Sequence, residues 1–241
     1  MSDFRSYAPD LDTATSEITL NPFESHHLLA TNRARMGDEV VLFNGAGLES
    51  LARISTEDRR RCVLTTESFQ QHPDPSVKIT LAIAIIKGKT FDTILRQATE
   101  LGVYKIQPLL TDWTQVQIKD ADSKIAKWEQ HLIEGCKQSG NPWLPRLEKP
   151  APLTNLLEGK ELSSAVVASL EDDKIVWDKL SIDHSPIVFV GPEGDFTPDE
   201  YKLLKARGAQ PVSLGPLVLR SETAVVSAIS ILKATVDRTV R

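Results

Sequence analysis

Residues 77–86, VKITLAIAII, form an apolar run that is almost uninterrupted. A strand with one face in water alternates apolar and polar residues, whereas a strand covered on both faces does not. The run is also far shorter than a helix that crosses a bilayer. It therefore predicts a central strand of a sheet that has helices packed on both of its faces.

Helix and strand patterns alternate after this run. The first predicted helix is marked by apolar residues at helical spacing: Phe91, Ile94, Leu95, Ala98 and Leu101. Thr90 is its predicted N-cap and Gly102 its predicted stop. A second helix is predicted over residues 121–139, a loop in NPWLPRLEKP, and strands in YKIQPLL, SSAVVASL, PIVFV and QPVSLG. This alternation predicts an α/β fold with a mostly parallel sheet.

The first 70 or so residues follow a different pattern, in which short apolar runs are broken by turns. GDEVVLFNGAGLESLARI predicts a β-hairpin, and RRCVLTTESF predicts another strand. Residues 69–76, FQQHPDPS, are polar and contain two prolines, which indicates a linker. We therefore expect a small, barrel-like β domain over residues 1–72 and an α/β domain over residues 73–241.

Composition limits the function classes. The net charge of −5 weighs against sequence-independent nucleic-acid binding, although a local basic surface is compatible with it. Cys62 and Cys136 lie outside any metal-ligand spacing and suit a reducing cytosol, and His26 and His27 lack further ligands. No signal peptide or membrane span is recognised. We expect a cytoplasmic protein that has neither a bound metal nor a membrane attachment.

Two late strands run into glycine-containing turns, GPEGDF at residues 191–196 and LGPLVLRSETA at residues 214–224. The TPDE that follows the first turn is a capping box, which explains residues 197–200 without a function. Ligands of open α/β sheets bind beyond the carboxyl ends of the strands. Glycine there lets a ligand approach the backbone closely and form hydrogen bonds with its N–H and C=O groups. Because Walker and GxGxxG patterns are missing from the sequence, the turns predict a nucleoside-like cofactor.

VGPEGDFTPDEY and VSLGPLVLRSETA closely resemble the signature of the RsmE family of SPOUT-class methyltransferases. KGKTFDTILRQATELGVYKIQPL, KWEQHLIEGCKQSGNPWLP and HHLLATNRARMGDEVVLFNGAG are similar to other segments of that family, so the resemblance covers nearly the whole chain. It implies a trefoil-knotted α/β domain behind a PUA-like RNA-binding β-barrel, and a homodimer. It also implies S-adenosylmethionine as the cofactor and N3 of a uridine in the 16S rRNA of the small ribosomal subunit as the methylated atom.

The resemblance implies the cofactor-binding residues, and the chemistry of methyl transfer and the positions of the basic residues indicate the others. The expected cofactor-binding residues are Leu170, Gly191, Pro192, Glu193, Gly194, Leu214, Gly215, Leu219, Arg220, Thr223 and Ala224. Arg220 is the candidate that stabilises negative charge on the uridine carbonyl oxygens, unless it forms a structural salt bridge with Glu193 or Glu222. These two carboxylates are the candidate proton acceptors. The expected RNA-binding residues are Arg33, Arg35, Lys87, Lys89, Arg96 and Asn141, with Lys105 and Arg59, Arg60 and Arg61 as further candidates.

The chain departs from the family pattern at several positions. Trp113, Asn141 and Gln97 stand where the family usually has cations, and Asp195 stands where it has a second glycine. Trp113 could compensate by stacking on a base. The absence of three cations leaves two alternatives open, namely a SPOUT methyltransferase that acts on another RNA and a non-catalytic RNA-binding or assembly protein. A nucleotide-dependent oxidoreductase would need a glycine fingerprint that the sequence lacks.

Overall fold

The fold is described from a computed structural model of the chain. The structure describes residues 4–114, 120–159, 161–162, 164–171, 173–180 and 182–239. The chain divides into two compact units, of which the first comprises residues 1–74 and 133–144 and the second residues 75–132 and 145–241. The domain boundary expected between residues 72 and 73 stays a prediction.

The first unit is built on a five-stranded sheet of the described residues, with the order β1-β3-β4-β5-β2. Its strands are β1 (Phe4–Tyr7), β2 (Glu17–Thr19), β3 (Glu39–Phe43), β4 (Leu48–Thr56) and β5 (Val63–Gln71). Strand β1 is parallel to β3, and the other pairings are antiparallel. A short helix, α1 (Pro22–His26), continues into a π-helical turn whose Leu28 is fully buried in the core. The predicted small, mostly β N-terminal part is confirmed.

The predicted linker over residues 69–76 is wrong at its start. Phe69 pairs with Ser50 and Gln71 with Leu48, so residues 69–71 complete strand β5. The hydrogen bonds of a sheet join backbone groups and do not require apolar side chains. An exposed, polar end of a strand therefore has the composition of a loop.

The second unit is built on a seven-stranded sheet of the described residues, in which every pairing is parallel. Its order is β12-β10-β11-β6-β7-β8, with β9 beside β7. The strands are β6 (Thr80–Ala84), β7 (Lys105–Leu110), β8 (Arg146–Leu147), β9 (Ala151–Pro152), β10 (Ala165–Ala168), β11 (Ile187–Val190) and β12 (Gln210–Val212). Beyond α1, the α-helices that the structure describes are α2 (Lys89–Glu100), α3 (Ala121–Ser139), α4 (Leu153–Leu157), α5 (Pro198–Ala206) and α6 (Ser221–Thr239).

Strand β6 is covered on both faces, as its uninterrupted apolar run predicts. Leu81, Ala82, Ile83 and Ala84 are all buried. Ala82 belongs to a core that α4 and α5 complete on one face of the sheet. Helices α2 and α6 pack against each other, and α6 packs against β11. The predicted mostly parallel α/β fold is confirmed.

Two details of the sequence interpretation are corrected. Thr90 is not the N-cap of α2, because the helix begins at Lys89 and Gly88, with a φ of 75°, occupies the cap position. A φ in this range is open to glycine at little cost, so the chain turns there rather than at the threonine. The predicted loop NPWLPRLEKP contains the two-residue strand β8, because Arg146 and Leu147 pair with Lys105 and Ile106.

Candidate active site

Strands β10, β11 and β12 are neighbours in the parallel sheet, so their carboxyl ends meet at one edge. The loops that leave these strands, together with the first turn of α6 and Thr90 of α2, line a cavity of about 420 Å³. This volume lies within the range of small-molecule sites. The cavity therefore occupies the position where the two glycine turns predict a cofactor.

The loop after β11 is a tight turn closed by hydrogen bonds. The amide of Asp195 donates to the carbonyl oxygen of Pro192 at 2.9 Å, and Asp195 itself has a φ of 63°. Gly191 is crowded, because a Cβ atom there would lie 3.1 Å from both Asp195 Oδ1 and the amide nitrogen of Phe196. The turn therefore leaves no free space for a side chain at Gly191.

Tyr201 of α5 holds this turn. Its hydroxyl donates to Asp195 Oδ1 at 2.8 Å and lies 3.3 Å from the carbonyl oxygen of Ala168, at the end of β10. Burial of the phenol is the main cause that raises the pKa of Tyr201 far above its ordinary value. The hydroxyl thus stays protonated, and as a donor it stabilises an aspartate in a backbone conformation that usually favours glycine.

The loop after β12 passes from Ser213 to Arg220 and is fixed mainly at its start. Trp177 Nε1 donates to the carbonyl oxygen of Ser213 at 2.8 Å, and Ser213 Oγ accepts from the amide of Gly215 at 3.2 Å. Gly215 has a φ of 124° and open space where a Cβ atom would stand. Farther along, the apolar residues Leu217 and Val218 line the cavity although they are 74% and 77% exposed.

Arg220 lies in the cavity wall together with Glu193 and Glu222. It is exposed, and its carbonyl oxygen accepts the amide of Ala224 in the first turn of α6. Within the described part of the chain, no ion pair joins Arg220 to Glu193 or Glu222. The structural salt bridge considered from the sequence is therefore not formed, and the guanidinium is available to a ligand.

The cavity collects most of the residues expected to bind the cofactor. Those that line it are Leu170, Gly191, Pro192, Glu193, Leu214, Gly215, Leu219, Arg220 and Ala224. Gly194 and Thr223 are not among its lining residues, and Thr223 is exposed. The binding roles of all these residues stay predictions.

The residues expected to contact RNA divide into two kinds. Four of them are exposed: Arg33, Arg35, Lys87 and Lys89. Lys87 lies in the connection from β6 to α2 and Lys89 begins α2, next to the cavity-lining Thr90. Arg96 is half-buried, and its Nη1 donates to Nδ1 of His131 at 3.0 Å. The side chain of Asn141 accepts the amide of Trp143 at 2.9 Å. Arg96 and Asn141 therefore have intramolecular contacts, whereas a role for any of the set in RNA binding stays a prediction.

The sequence interpretation missed a long-range function of the capping box. Thr197 and Glu200 cap α5 reciprocally as predicted, but the buried Glu200 carboxylate also accepts the amide of Asp112 at 3.0 Å. Thr197 Oγ1 donates to Asp112 Oδ2 at 3.3 Å. The turn after β7 is thereby fixed to the end of the loop that carries Gly191 and Asp195. No local pattern in the sequence signals this contact.

Two properties of the described residues concern metals and membranes. No group of three or more His, Cys, Asp or Glu side chains in the described ranges is arranged to hold a metal ion. No helix that the structure describes is both long enough and apolar enough to span a bilayer.

Comparisons with known proteins agree with this geometry. The model of a family described as RNA methyltransferase domain matches residues 72–233, and that of the RNA methyltransferase PUA domain matches residues 21–67. Ribosomal RNA small subunit methyltransferase E of Rickettsia conorii is 32% identical over 85% of this chain and 84% of its own length. The chain belongs to the RsmE family. The Synechocystis RsmE is 30% identical over 91% of this chain and 74% of its own length.

Solved structures give the same result. A methyltransferase from Legionella pneumophila, in complex with S-adenosylmethionine, matches with a TM-score of 0.89 and 29% identity over 96% of this chain and 97% of its own. RsmE of Neisseria gonorrhoeae, bound to S-adenosylmethionine, matches with a TM-score of 0.87 and 25% identity over 95% of this chain and 96% of its own. The resemblance to the RsmE family, and the SPOUT-type fold with its PUA-like N-terminal part, are confirmed.

Proposed function

We propose that this RsmE-family chain transfers a methyl group from S-adenosylmethionine to N3 of a uridine in the 16S rRNA of the small ribosomal subunit. The cavity enclosed by the three loops after β10, β11 and β12, with Arg220 in its wall, is the observation that carries the proposal. The relatives named as small-subunit rRNA methyltransferases and the cofactor-bound neighbours support it. In the homodimer that we infer, residues 1–72 contribute RNA binding and residues 73–241 the transfer.

The lining of the cavity fits a nucleoside-like cofactor. Its volume of about 420 Å³ suits such a ligand, and the exposed Gly215, with open space where a Cβ atom would stand, leaves main-chain groups uncovered. The exposed side chains of Leu170, Leu217 and Val218 add apolar surface. S-adenosylmethionine supplies an electrophilic methyl group on a sulfonium centre, so the residues of the chain contribute orientation and charge.

Arg220 has the chemistry that the uridine requires. N3 of uridine carries a proton at neutral pH, and its removal spreads negative charge onto the two flanking carbonyl oxygens. A guanidinium stays charged and presents donors in a fixed fork, so it stabilises that charge as it develops. In this proposal Glu222, which is half-buried at the start of α6, or the exposed Glu193 accepts the proton, and both residues line the cavity.

The test is methyl transfer followed by nucleoside analysis. Small-subunit particles from cells that lack this methylation are incubated with the protein and labelled S-adenosylmethionine, and the digested RNA is separated. We expect label in 3-methyluridine. Label in a different nucleoside would show that the protein methylates another atom and would contradict the proposal. Cofactor binding without transfer to any RNA would identify a non-catalytic member of the family.

Arg220→Gln tests the residue in the same assay. We expect kcat to fall roughly 10²–10³-fold, as for the removal of one positioned charge donor, and titration calorimetry measures separately what the side chain contributes to cofactor affinity. Arg220→Lys should restore only part of kcat, because an ammonium lacks the planar fork. Arg146→Gln is the control, since Arg146 is exposed at the amino end of β8, away from the cavity-lining loops. An unchanged kcat in Arg220→Gln would remove the residue from the mechanism.

A further inference from the structure

Trp113 is an exposed aromatic residue beside the candidate active site that the cofactor cavity does not use. It follows β7, whose carboxyl end lies at the same edge of the parallel sheet as the ends of β6 and β11. The residue is 57% exposed. A Cβ atom added to Gly194 would lie 3.7 Å from its Cγ and 3.8 Å from its Cδ1, so the indole lies against the loop that carries Gly191 and Asp195.

The turn that presents Trp113 is fixed on both sides. Thr111 donates its amide to Thr114 Oγ1 at 2.8 Å, and the amide of Thr114 donates back to the carbonyl oxygen of Thr111 at 2.9 Å. Asp112, the residue before the tryptophan, is bound by both partners of the α5 capping box. An exposed indole on a fixed turn loses little conformational entropy when a flat partner binds, since only its two side-chain torsions remain to be ordered.

The charges around Trp113 favour an uncharged partner surface. Asp112 precedes it, and Glu193 and Asp195 flank the Gly194 against which it lies. These carboxylates repel phosphate, so an electrostatic backbone contact is disfavoured at this point. The face of a nucleobase is uncharged and stacks on an aromatic ring.

We propose that the indole of Trp113 is a stacking platform for a base of the substrate RNA, so that it positions the strand at the mouth of the cofactor cavity. This inference rests on the proposed function, because it assumes that RNA is the substrate that binds beside the cavity. Trp113 is not among the residues that line the cavity, so it acts in recognition and not in the transfer itself. A second copy of the chain covering the indole is the competing explanation.

The experiment compares Trp113→Ala with Trp113→Phe. With methyl-deficient small-subunit particles as the substrate, we expect Trp113→Ala to raise KM roughly tenfold or more and to leave kcat and the cofactor affinity unchanged, because base stacking contributes that much to RNA binding. Trp113→Phe should recover most of the affinity. Tyr104→Ala is the matched control, since Tyr104 is a partly exposed aromatic residue at the amino end of the same strand.

A binding readout separates stacking from other roles. A uridine-containing single-stranded RNA hexamer should quench tryptophan fluorescence of the wild type, and the quenching should disappear in Trp113→Phe and with a hexamer of the same length that lacks bases. An unchanged KM in Trp113→Ala, a lowered cofactor affinity in that variant, or a change in its oligomeric state by sedimentation would each overturn the proposal. A wild type that quenches but transfers no methyl group would contradict the proposed function and leave the stacking supported.

Discussion

At the scale of single residues, the two glycines of the loop after β11 differ in what a side chain would meet. A Cβ atom at Gly191 would stand 3.1 Å from Asp195 Oδ1 and from a backbone nitrogen, whereas at Gly194 the nearest atom would be 3.7 Å away on Trp113. We expect Gly191→Ala to force a shift of the turn, at an overpacking cost on the order of 1–3 kcal/mol. The affinity for S-adenosylmethionine should therefore fall roughly tenfold.

Titration calorimetry on folded protein measures this difference, and Gly194→Ala is the matched control. That variant introduces the same methyl group into the same loop at an ordinary contact distance, so its cofactor affinity should stay near that of the wild type. Equal affinities in the two variants would show that the turn tolerates displacement and that the crowding at Gly191 does not shape the cavity.

At the scale of elements, α1 is joined to residues 133–139 of α3, within the first unit, through a buried polar cluster. Lys137 Nζ lies 3.1 Å from both carboxylate oxygens of Glu24 and donates to Nδ1 of His27 at 3.1 Å. Glu24 also accepts the amide of Tyr7 at 3.1 Å. Because Nδ1 of His27 accepts a hydrogen bond, the neutral imidazole is the form that fits the folded protein.

The cluster gives the stability of the protein a predictable pH dependence. Burial first, and then the charge of Lys137, lower the pKa of His27 below its ordinary value of 6.5. Below pH 6.5 the unfolded chain binds a proton that the folded chain resists, so this contribution to the free energy of unfolding is present above pH 6.5 and disappears as the pH falls through the lowered pKa. We expect His27→Gln to reduce the difference in the free energy of unfolding between pH 7.5 and pH 5.5.

Urea denaturation at the two pH values measures the effect. His26→Gln is the control, because His26 is the exposed neighbour of His27. It should keep most of the pH dependence of the wild type, because the charge of His26 makes the smallest of the contributions that lower the pKa of His27. An identical pH dependence in His27→Gln and the wild type would mean that the histidine titrates alike in both states.

At the scale of the whole molecule, the net charge is −5, so electrostatic attraction of RNA would have to come from local groups of basic residues. Arg60 and Arg61 are exposed between β4 and β5 and border a cavity of about 340 Å³ in the first unit. If they bind phosphates, the double variant Arg60→Gln, Arg61→Gln should make the negative slope of log K against log salt concentration shallower, by roughly 0.7–0.9 for each phosphate that is no longer neutralised.

Binding of small-subunit particles across a salt series tests this electrostatic prediction. Arg53→Gln is the control. Arg53 lies in the same unit, but its charge is compensated by the carboxylates of Glu39 and Glu67. An unchanged slope in the double variant would exclude these two arginines from the RNA contact.

The sequence predicts those parts of the molecule whose cause is local. Helix α3 is observed over the predicted residues 121–139, because its periodic apolar residues extend over several turns. The capping box of α5 is likewise observed at Thr197 and Glu200, since its partners are three residues apart. Thr90 fails as a cap because the backbone at Gly88 decides where α2 begins.

Contacts between distant residues could not be predicted in this way. The hydrogen bond from Asp112 to Glu200 spans 88 positions, and the aspartate at position 195 is stabilised by a tyrosine that no spacing rule connects to a cofactor turn. The sequence therefore predicts the strands that end at the site and the glycine turns. The way in which the turns are held together depends on packing across the sheet.

The double role of Glu200 has a thermodynamic consequence. One buried carboxylate accepts the amides of both Asp112 and Thr197, so the turn that carries Trp113 and the end of the loop after β11 share an anchor. We therefore expect cofactor binding and RNA binding to be coupled, and the factor by which the cofactor changes the affinity for RNA must equal the factor by which RNA changes the affinity for the cofactor. We expect Glu200→Gln to reduce the size of this coupling while each ligand still binds on its own.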